Sequence, residues 1–309
     1  MFPIMRNRVR GMKIFGGILR FKLQTQLVLP LILGILFSFS TSAQECPVIG
    51  TDGVFDPNSD VIITSYHQSM AKISTGFVVW GEDMASNGTN DTNGLTEVTP
   101  ANGYNYTGSI IHFALSGNAG GQAFVATTTN LYAWGTEGEV IGSSFTSGTA
   151  FAPIDLTGPS GQAFTSSEIF DMHATTNALF VLLNNGTVWV ATDGLTAPNG
   201  NANTNTNIWS QVQTSAGVPL TGVKQLTGTE VSGYALTESG AIYAWGNQVN
   251  LGNGTAAQNL TYATQMAAPP SAIKYITAIY DNTTTSGVLA LGTDITSLSI
   301  FCKADSIIS

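Results

Sequence analysis

The chain has 309 residues, with 10 lysines and arginines against 19 aspartates and glutamates. Six of the basic residues fall within the first 43 positions, so the rest of the chain carries four lysines, no arginine and a formal net charge of −15. A surface with so few cations cannot neutralise a row of phosphates, which argues against DNA, RNA and anionic lipid as partners.

Residues 1–43 have the organisation of an export signal. Basic residues come first, an apolar run follows from Leu27 to Phe39, and small residues ending at Ala43 precede Gln44. The apolar run of about 13 residues is shorter than the roughly 20 that cross a bilayer as a helix. We therefore predict cleavage after Ala43, a mature chain of residues 44–309 with no membrane span, and a secreted or cell-surface location. A membrane anchor is the alternative.

The mature chain keeps two cysteines, Cys46 near its start and Cys302 near its end. In an oxidising compartment they could form a disulfide that joins the two ends of the chain. Two independent thiols are the alternative, because the sequence does not give their separation in space.

Similar stretches recur along the mature chain, each a turn followed by an apolar strand. Three end in Trp-Gly, at Trp80, Trp134 and Trp245. We call the position of this tryptophan the landmark of the repeat. In the third copy Ala191 takes this landmark position and Trp189 lies two residues upstream, on the same strand face because side chains alternate with period two. A fifth copy ends at Phe301. Landmarks spaced about 55 residues apart indicate a repeat protein.

Further short strands are predicted in step with the landmarks. One directly precedes the landmark strand, at 69–73, 123–127, 178–183, 234–237 and 288–291. Another lies further upstream, at 110–113, 169–172, 223–226 and 273–276. A weaker one follows the landmark, at 96–99, 151–156, 208–213 and 262–266. Four strands per repeat without helical periodicity predict an all-β fold, a β-propeller of four-stranded blades.

This pattern resembles the regulator of chromosome condensation repeat. The best match runs from Tyr234 to Asn247, with Leu251-Gly252 after it. The resemblance covers nearly all of the mature chain and implies a propeller in which the Trp and Gly residues pack blades and form turns. By analogy with exported bacterial members of the family, it also implies that one propeller face binds another protein.

The number of blades follows from the length. The family's usual seven-bladed ring needs roughly 385 residues at this period, whereas residues 44–309 supply fewer than five repeats. We therefore expect an open or truncated ring of four to five blades, the last one incomplete. A compact five-bladed ring is the alternative.

Acidic or amide side chains follow the landmarks, at Glu82, Asp83, Glu137, Glu139, Asp193 and Asn247. Equivalent positions of a propeller lie on one rim, so these groups could form an acidic ring that holds Ca²⁺ or meets a basic partner. Solvated turn residues are the alternative interpretation. Loops rich in Asn and Thr, at 86–94 and 199–207, suit a protein or glycan surface, or are ordinary flexible loops.

Motifs for catalysis do not occur in the sequence. The three histidines, His67, His112 and His173, form no metal-binding pattern, and no nucleophile elbow or phosphate-binding loop is present. The sequence therefore predicts no enzyme and no cofactor, but an exported binding or adhesion module that acts through loops on one propeller face. The alternative is a glycan-binding protein or a secreted carbohydrate-active enzyme, which needs two carboxylates facing one pocket.

Overall fold

The computed structural model describes residues 62–65, 67–116, 121–136, 140, 148–157, 161, 164–175, 177–192, 199–201, 209–269, 271–281, 285–293 and 298–301. Their regular structure is β-strand apart from two single-turn 3₁₀ helices, Pro100–Asn102 and Ser166–Glu168. No helix within these ranges is long and apolar enough to cross a bilayer. The predicted export signal, Cys46 and Cys302 lie outside the described residues.

The first two blades are four-stranded antiparallel sheets in which each strand pairs with the next. The first blade consists of β1 to β4, at Ile62–Ser65, Gln68–Ile73, Gly76–Gly81 and Thr92–Glu97. The second consists of β5 to β8, at Ile110–Leu115, Gln122–Thr127, Leu131–Gly135 and Ala152–Pro153.

Three more blades follow. The third consists of β9 to β12, at Ile169–Ala174, Ala178–Leu183, Val188–Thr192 and Ser210–Gln211, and a small hairpin comes after it with β13 at Gln213–Ser215 and β14 at Val218–Pro219. The fourth consists of β15 to β18, at Val223–Gly228, Ser232–Thr237, Ile242–Val249 and Gln258–Gln265. The fifth consists of β19 to β21, at Ile273–Asp281, Thr285–Gly292 and Leu298–Phe301. A parallel bridge between Val249 and Ser286 links the last two blades.

The first strand of each blade contacts the first strand of the next blade. These contacts join β1 to β5, β5 to β9, β9 to β15 and β15 to β19. Among the described strands, extensive contact between blades joins only blades that are consecutive in the chain. The structure therefore confirms the predicted all-β propeller architecture.

The landmark residues occupy one register in all five blades. Trp80 pairs with Ser69, Trp134 with Ala123 and Trp245 with Gly233, each on the preceding strand. The same register pairs the two substituted landmarks, Ala191 and Phe301, with Leu179 and Val288. The repeat and its displaced third tryptophan are confirmed.

An apolar core lies between each pair of consecutive blades. The blade side that faces the next blade contributes fully buried residues at equivalent positions, Met70, Phe124, Phe180 and Tyr234. The side that faces the preceding blade contributes the landmark residues, and Trp134 and Trp245 are fully buried there. Because each blade buries its faces against its neighbours, the stability of one blade depends on the next.

Trp209 is a fully buried core residue that lies outside the repeat pattern. It directly precedes β12, which pairs with β11 through Ser210 and Val190. This register places Trp209 beside Ala191 on the neighbouring strand, and both residues belong to the core between the second and third blades. The indole that is missing at the third landmark is thus supplied from the adjacent strand.

Two of the buried indoles, those of Trp134 and Trp209, donate a hydrogen bond to the backbone of the preceding blade. Trp209 Nε1 donates to the carbonyl oxygen of Asp155 at 2.7 Å, and Trp134 Nε1 donates to that of Met84 at 3.2 Å. Both acceptors belong to the preceding blade, but Met84 lies between its third and fourth strands, whereas Asp155 follows its fourth strand. Each indole therefore satisfies its N–H while filling the core.

The outer strands depart from the prediction. The strand predicted at 96–99 lies at Thr92–Glu97, and those predicted at 151–156 and 208–213 pair over only two residues each. An outer strand is paired along one edge only, so its position depends less on alternation of apolar residues.

Glutamine side chains on the first or second strand of a blade form hydrogen bonds with the backbone of the next blade. Gln225 Nε2 donates to the carbonyl oxygen of Ile276 at 2.8 Å, and the Ile276 N–H donates to Gln225 Oε1 at 2.9 Å. Gln122 Nε2 donates to the carbonyl oxygen of Thr175 at 3.1 Å. These bonds satisfy backbone groups at the blade junctions.

His173 and Thr227 occupy equivalent positions on the inner strands of the third and fourth blades. His173 Nε2 bonds the carbonyl oxygen of Gly228 at 3.1 Å, and the N–H of Ala278 donates to Thr227 Oγ1 at 3.0 Å. Burial lowers the pKa of His173 and outweighs the Gly228 bond, which raises it. The neutral imidazole is therefore the form that the junction favours.

Candidate binding rim

In the first and fourth blades the segments that follow the landmark strands lie at one end of the blade, and we call this end the post-landmark rim. It is also the end where the first and second strands of each blade are joined, since Gly81 pairs with Gln68 and Gly246 pairs with Ser232. Two segments of this rim are described: the first rim loop, residues 82–91, and the fourth rim loop, residues 247–257, which includes the last three residues of β17.

Three of the predicted rim residues are described and lie at this end, Glu82, Asp83 and Asn247. The others, Glu137, Glu139 and Asp193, lie outside the described residues. Among the part of the chain that the structure describes, no three His, Cys, Asp or Glu side chains converge in a group that could hold a metal ion.

Glu82 and Asp83 point to different partners. Glu82 Oε2 lies 2.5 Å from Nδ1 of His67, and both side chains are about half exposed, at 49% and 55%. Asp83 accepts a hydrogen bond from the hydroxyl of Thr136 in the second blade. One carboxylate is thus paired within its own blade, whereas the other connects two blades.

The rim loops of the first and fourth blades share one backbone turn. Asp83 and Gln248, three residues after Trp80 and Trp245, have left-handed φ angles of 55° and 57°. The N–H of Asp83 donates to Asp91 Oδ1, and that of Gln248 donates to Asn259 Oδ1, each at 3.1 Å. Asp, Asn and Gln here are therefore turn-forming residues as well as rim residues.

The first rim loop is ordered by its own amide side chain. Asn87 Oδ1 accepts the N–H groups of Thr89 and Asn90 at 3.2 Å each, and the N–H of Gly88 donates to the carbonyl oxygen of Ala85 at 2.8 Å. The side chains of Asn87, Thr89 and Asn90 are exposed. The loop therefore presents uncharged polar groups on a fixed backbone.

The same loop is attached to the second blade. The N–H of Phe151 donates to the carbonyl oxygen of Ser86 at 2.7 Å, and Thr149 Oγ1 donates to that of Asn87 at 3.2 Å. Gly88, with φ 73°, is buried at this contact, where a β-carbon would lie 1.9 Å from the Thr149 carbonyl oxygen. Only glycine fits this close approach of two backbones.

The backbone of the fourth rim loop is also ordered by its own amide side chains. Asn250 Oδ1 accepts the N–H of Gly252 at 2.9 Å, and Asn253 Oδ1 accepts that of Thr255 at 3.1 Å. Leu251 is buried in the core between the fourth and fifth blades. An apolar anchor thus fixes the loop, while Asn253 and Thr255 remain exposed.

The opposite end of the blades carries two clefts between blades. One, of about 410 Å³, lies between the first and second blades and is lined by Lys72, Phe77, Tyr106 and Ile110 among others. The other, of about 480 Å³, lies at the equivalent place between the fourth and fifth blades, beside Gly240. None of the described residues that line these two clefts is Asp or Glu, so neither offers the carboxylate pair of a glycoside hydrolase.

Other titratable groups with shifted pKa values are not rim residues, although the Tyr104 hydroxyl donates a hydrogen bond to the carbonyl oxygen of Met84 in the first rim loop. Burial raises the pKa of Tyr104 to about 12. Burial would also raise the pKa of Tyr132, but hydrogen bonds from Thr107 and Asn130 lower it overall. Hydrogen bonds from the N–H and hydroxyl of Thr165, which caps the 3₁₀ helix Ser166–Glu168, lower the pKa of Glu168. These shifts come from packing and capping interactions.

Comparison with known proteins shows similarity at the level of structure. No protein-family model and no curated protein matches this chain. Human WBSCR16 is 15% identical, over 75% of this chain and 57% of its own, with a TM-score of 0.54. Prp20p from Saccharomyces cerevisiae, described with its binding properties to Gsp1p and histones, is 10% identical, over 76% and 56%, with a TM-score of 0.56.

Both solved structures are RCC1-like β-propellers, and at these identities the likeness shows the fold alone. The chain spans just over half the length of each of these two structures.

Proposed function

We propose that this chain is an exported, secreted or cell-surface β-propeller of the RCC1-like type that binds a protein partner through its post-landmark rim. The observation that carries the proposal is the order of the first rim loop, whose backbone is fixed by Asn87 and attached to the second blade. A loop that is ordered before binding loses little conformational entropy when a partner docks.

The composition of the rim supports a protein as the partner. Exposed Asn and Thr side chains supply donors and acceptors, and the exposed Glu82 and Asp91 add negative charge. In a mature chain with net charge −15, such a rim favours a neutral polar or basic protein surface. Prp20p, a propeller of similar fold, is described with two protein partners, which supports the proposal by analogy.

A glycan ligand is the second candidate, because uncharged amides and hydroxyls also suit sugars. The proposal involves no catalysis and no cofactor. An acidic ring that holds Ca²⁺ remains the alternative for the rim.

Site-specific photocrosslinking tests the proposal. A photoreactive residue placed at the exposed Thr89 on the rim is compared with one at the exposed Ser239, in a hairpin at the opposite end. We expect illumination of intact producing cells to give protein adducts from position 89 and none from position 239. Adducts from position 239 alone, or from neither position, would contradict the proposal.

Two further measurements separate the alternatives. Binding of the purified chain to a glycan array that is lost on Asn90→Ala would favour the glycan candidate, and loss of the adduct with a calcium chelator would favour the Ca²⁺ ring.

Export is tested by mass spectrometry of the N-terminus. We expect the released protein to begin at Gln44, whereas a soluble mature protein that keeps residues 1–43 would refute the export signal.

A further inference from the structure

The first strand carries one extra residue, a β-bulge, in each of the second to fifth blades. In the second blade this residue is Ile111, since the residues on either side of it pair with consecutive residues of β6. The same shift of register makes Phe170, Lys224 and Lys274 the extra residues of the third, fourth and fifth blades. A bulge takes its extra residue out of the regular alternation of the strand and aims its side chain differently. We call the place of these residues the bulge position.

The residues at the bulge position are of two kinds. Ile111 packs against the core between the second and third blades, and Phe170 packs against the core between the third and fourth. The fourth and fifth blades have Lys224 and Lys274 instead, and both are partly buried. Lys224 therefore takes an apolar place at the junction with the fifth blade, where its aliphatic stem can pack while its ammonium group stays at the edge.

The two lysines belong to neighbouring strands that are bonded to each other. The side chain of Gln225 on β15 makes two hydrogen bonds with the backbone of Ile276 on β19. Lys224 directly precedes this glutamine, and Lys274 lies two residues before Ile276. Each lysine is the second residue of its strand, so both lie near the end of the blades opposite the post-landmark rim.

The chain does not balance these two charges with its own acids. Residues 44–309 contain 19 acids and only four lysines, yet within the described part of the chain neither Lys224 nor Lys274 forms an ion pair. Two ammonium groups on adjacent strands repel each other, and partial burial strengthens the repulsion because it lowers the effective dielectric constant. An anion that contacts both groups replaces this repulsion with attraction.

We infer that Lys224 and Lys274 together bind one small anion that carries two or more negative charges, supplied by carboxylates or by phosphate. A pair of lysines suits a compact anion, whereas a nucleic acid or an anionic membrane requires a row of cations that this chain lacks. The site lies at the other end of the blades from the rim, so the inference is independent of the proposed protein partner.

NMR of the lysine side chains tests the inference. The lysines of the purified chain are converted to isotope-labelled dimethyl-lysines, which keep their charge, and each signal is assigned by substitution. Citrate and inorganic phosphate are titrated separately at constant ionic strength. We expect the signals of Lys224 and Lys274 to shift together along one saturation curve, whereas the signal of the exposed Lys72 stays in place. The probe that saturates at the lower concentration identifies the preferred source of charge.

Calorimetric titration of unmodified variants measures the contribution of each lysine. Lys224→Gln and Lys274→Gln should each weaken binding of the preferred probe about tenfold, because each removes one charge-assisted contact. Lys224→Arg should keep most of the affinity, since it keeps the charge. Lys72→Gln is the matched control and should bind like the unsubstituted chain. Circular dichroism checks that each variant is folded.

Three results overturn the inference. The first is a lack of saturation with both probes. The second is a shift of only one of the two lysine signals, which shows that the lysines do not share an anion. The third is an equal loss of affinity in Lys72→Gln, which shows that the probes respond to the general charge of the chain rather than to the bulge position.

Discussion

The third and fourth blades fill the same place in their cores with residues from different strands. In the fourth blade the indole comes from the landmark residue Trp245 on β17. In the third blade the landmark is Ala191, and the indole comes from Trp209 at the start of the outer strand. A blade junction therefore requires a large apolar side chain at one place, but that side chain can come from either of two neighbouring strands.

We expect the indoles of Trp209 and Trp245 to stabilise their blade junctions equally. We expect Trp245→Ala and Trp209→Ala each to lower the free energy of unfolding by about 3–5 kcal/mol, because both leave a large cavity in a core. Trp80→Ala should cost clearly less, since Trp80 is half-buried.

Urea unfolding followed by circular dichroism measures all three variants. A small effect of Trp209→Ala beside a large effect of Trp245→Ala would show that Trp209 does not replace the landmark residue.

A second prediction concerns a variant in which the indole returns to its repeat position in the third blade. Ala191→Trp alone should destabilise by about 1–3 kcal/mol, because it adds a second ring to a filled core. Combined with Trp209→Ala, it should recover part of the stability that the Trp209 substitution removes. A double-mutant cycle from urea unfolding measures the coupling, and additive losses would contradict the shared site.

A third prediction concerns how the free energy of unfolding depends on pH at the junction between the third and fourth blades. Burial lowers the pKa of His173 in the folded protein, so the unfolded chain binds the proton first as the pH falls. The stability that comes from neutral His173 is full above the unfolded pKa of about 6.5 and decreases below it, until the lower folded pKa is reached.

His173→Gln is the matched variant, because a glutamine keeps a donor for Gly228 and does not titrate. We expect the free energy of unfolding of this variant to fall less between pH 7 and pH 5 than that of the unsubstituted chain. Equal slopes in urea unfolding at the two pH values would show that His173 does not titrate in this range.

The sequence predicted the inner part of each blade well. Strands such as Ala178–Leu183 are apolar along their whole length, and the Gly after the landmark strand marks its end. The landmark register was predicted even where Ala191 and Phe301 replace tryptophan, because spacing along the chain carries the repeat. Trp209 was missed because it fills the core from a strand where no other repeat has a tryptophan.

The sequence predicted where the rim residues lie, but not which residues they contact. Position after the landmark put Glu82, Asp83 and Asn247 at one end of the blades. Their partners could not be predicted, because His67 lies across a hairpin from Glu82 and Thr136 belongs to another blade. The loop order that supports the proposed function depends on approaches such as Gly88 to Thr149, which are set by tertiary packing.

The amide bridge from Gln225 to the backbone of Ile276 has a consequence for how such a chain can change over evolutionary time. Both groups that the glutamine bonds are main-chain groups, so any residue except proline at position 276 offers the same N–H and C=O. A mutation in one blade then needs no matching mutation in its neighbour to keep this bond. Blades joined in this way can diverge independently or be duplicated whole, and correlated substitutions are not expected across the bridge.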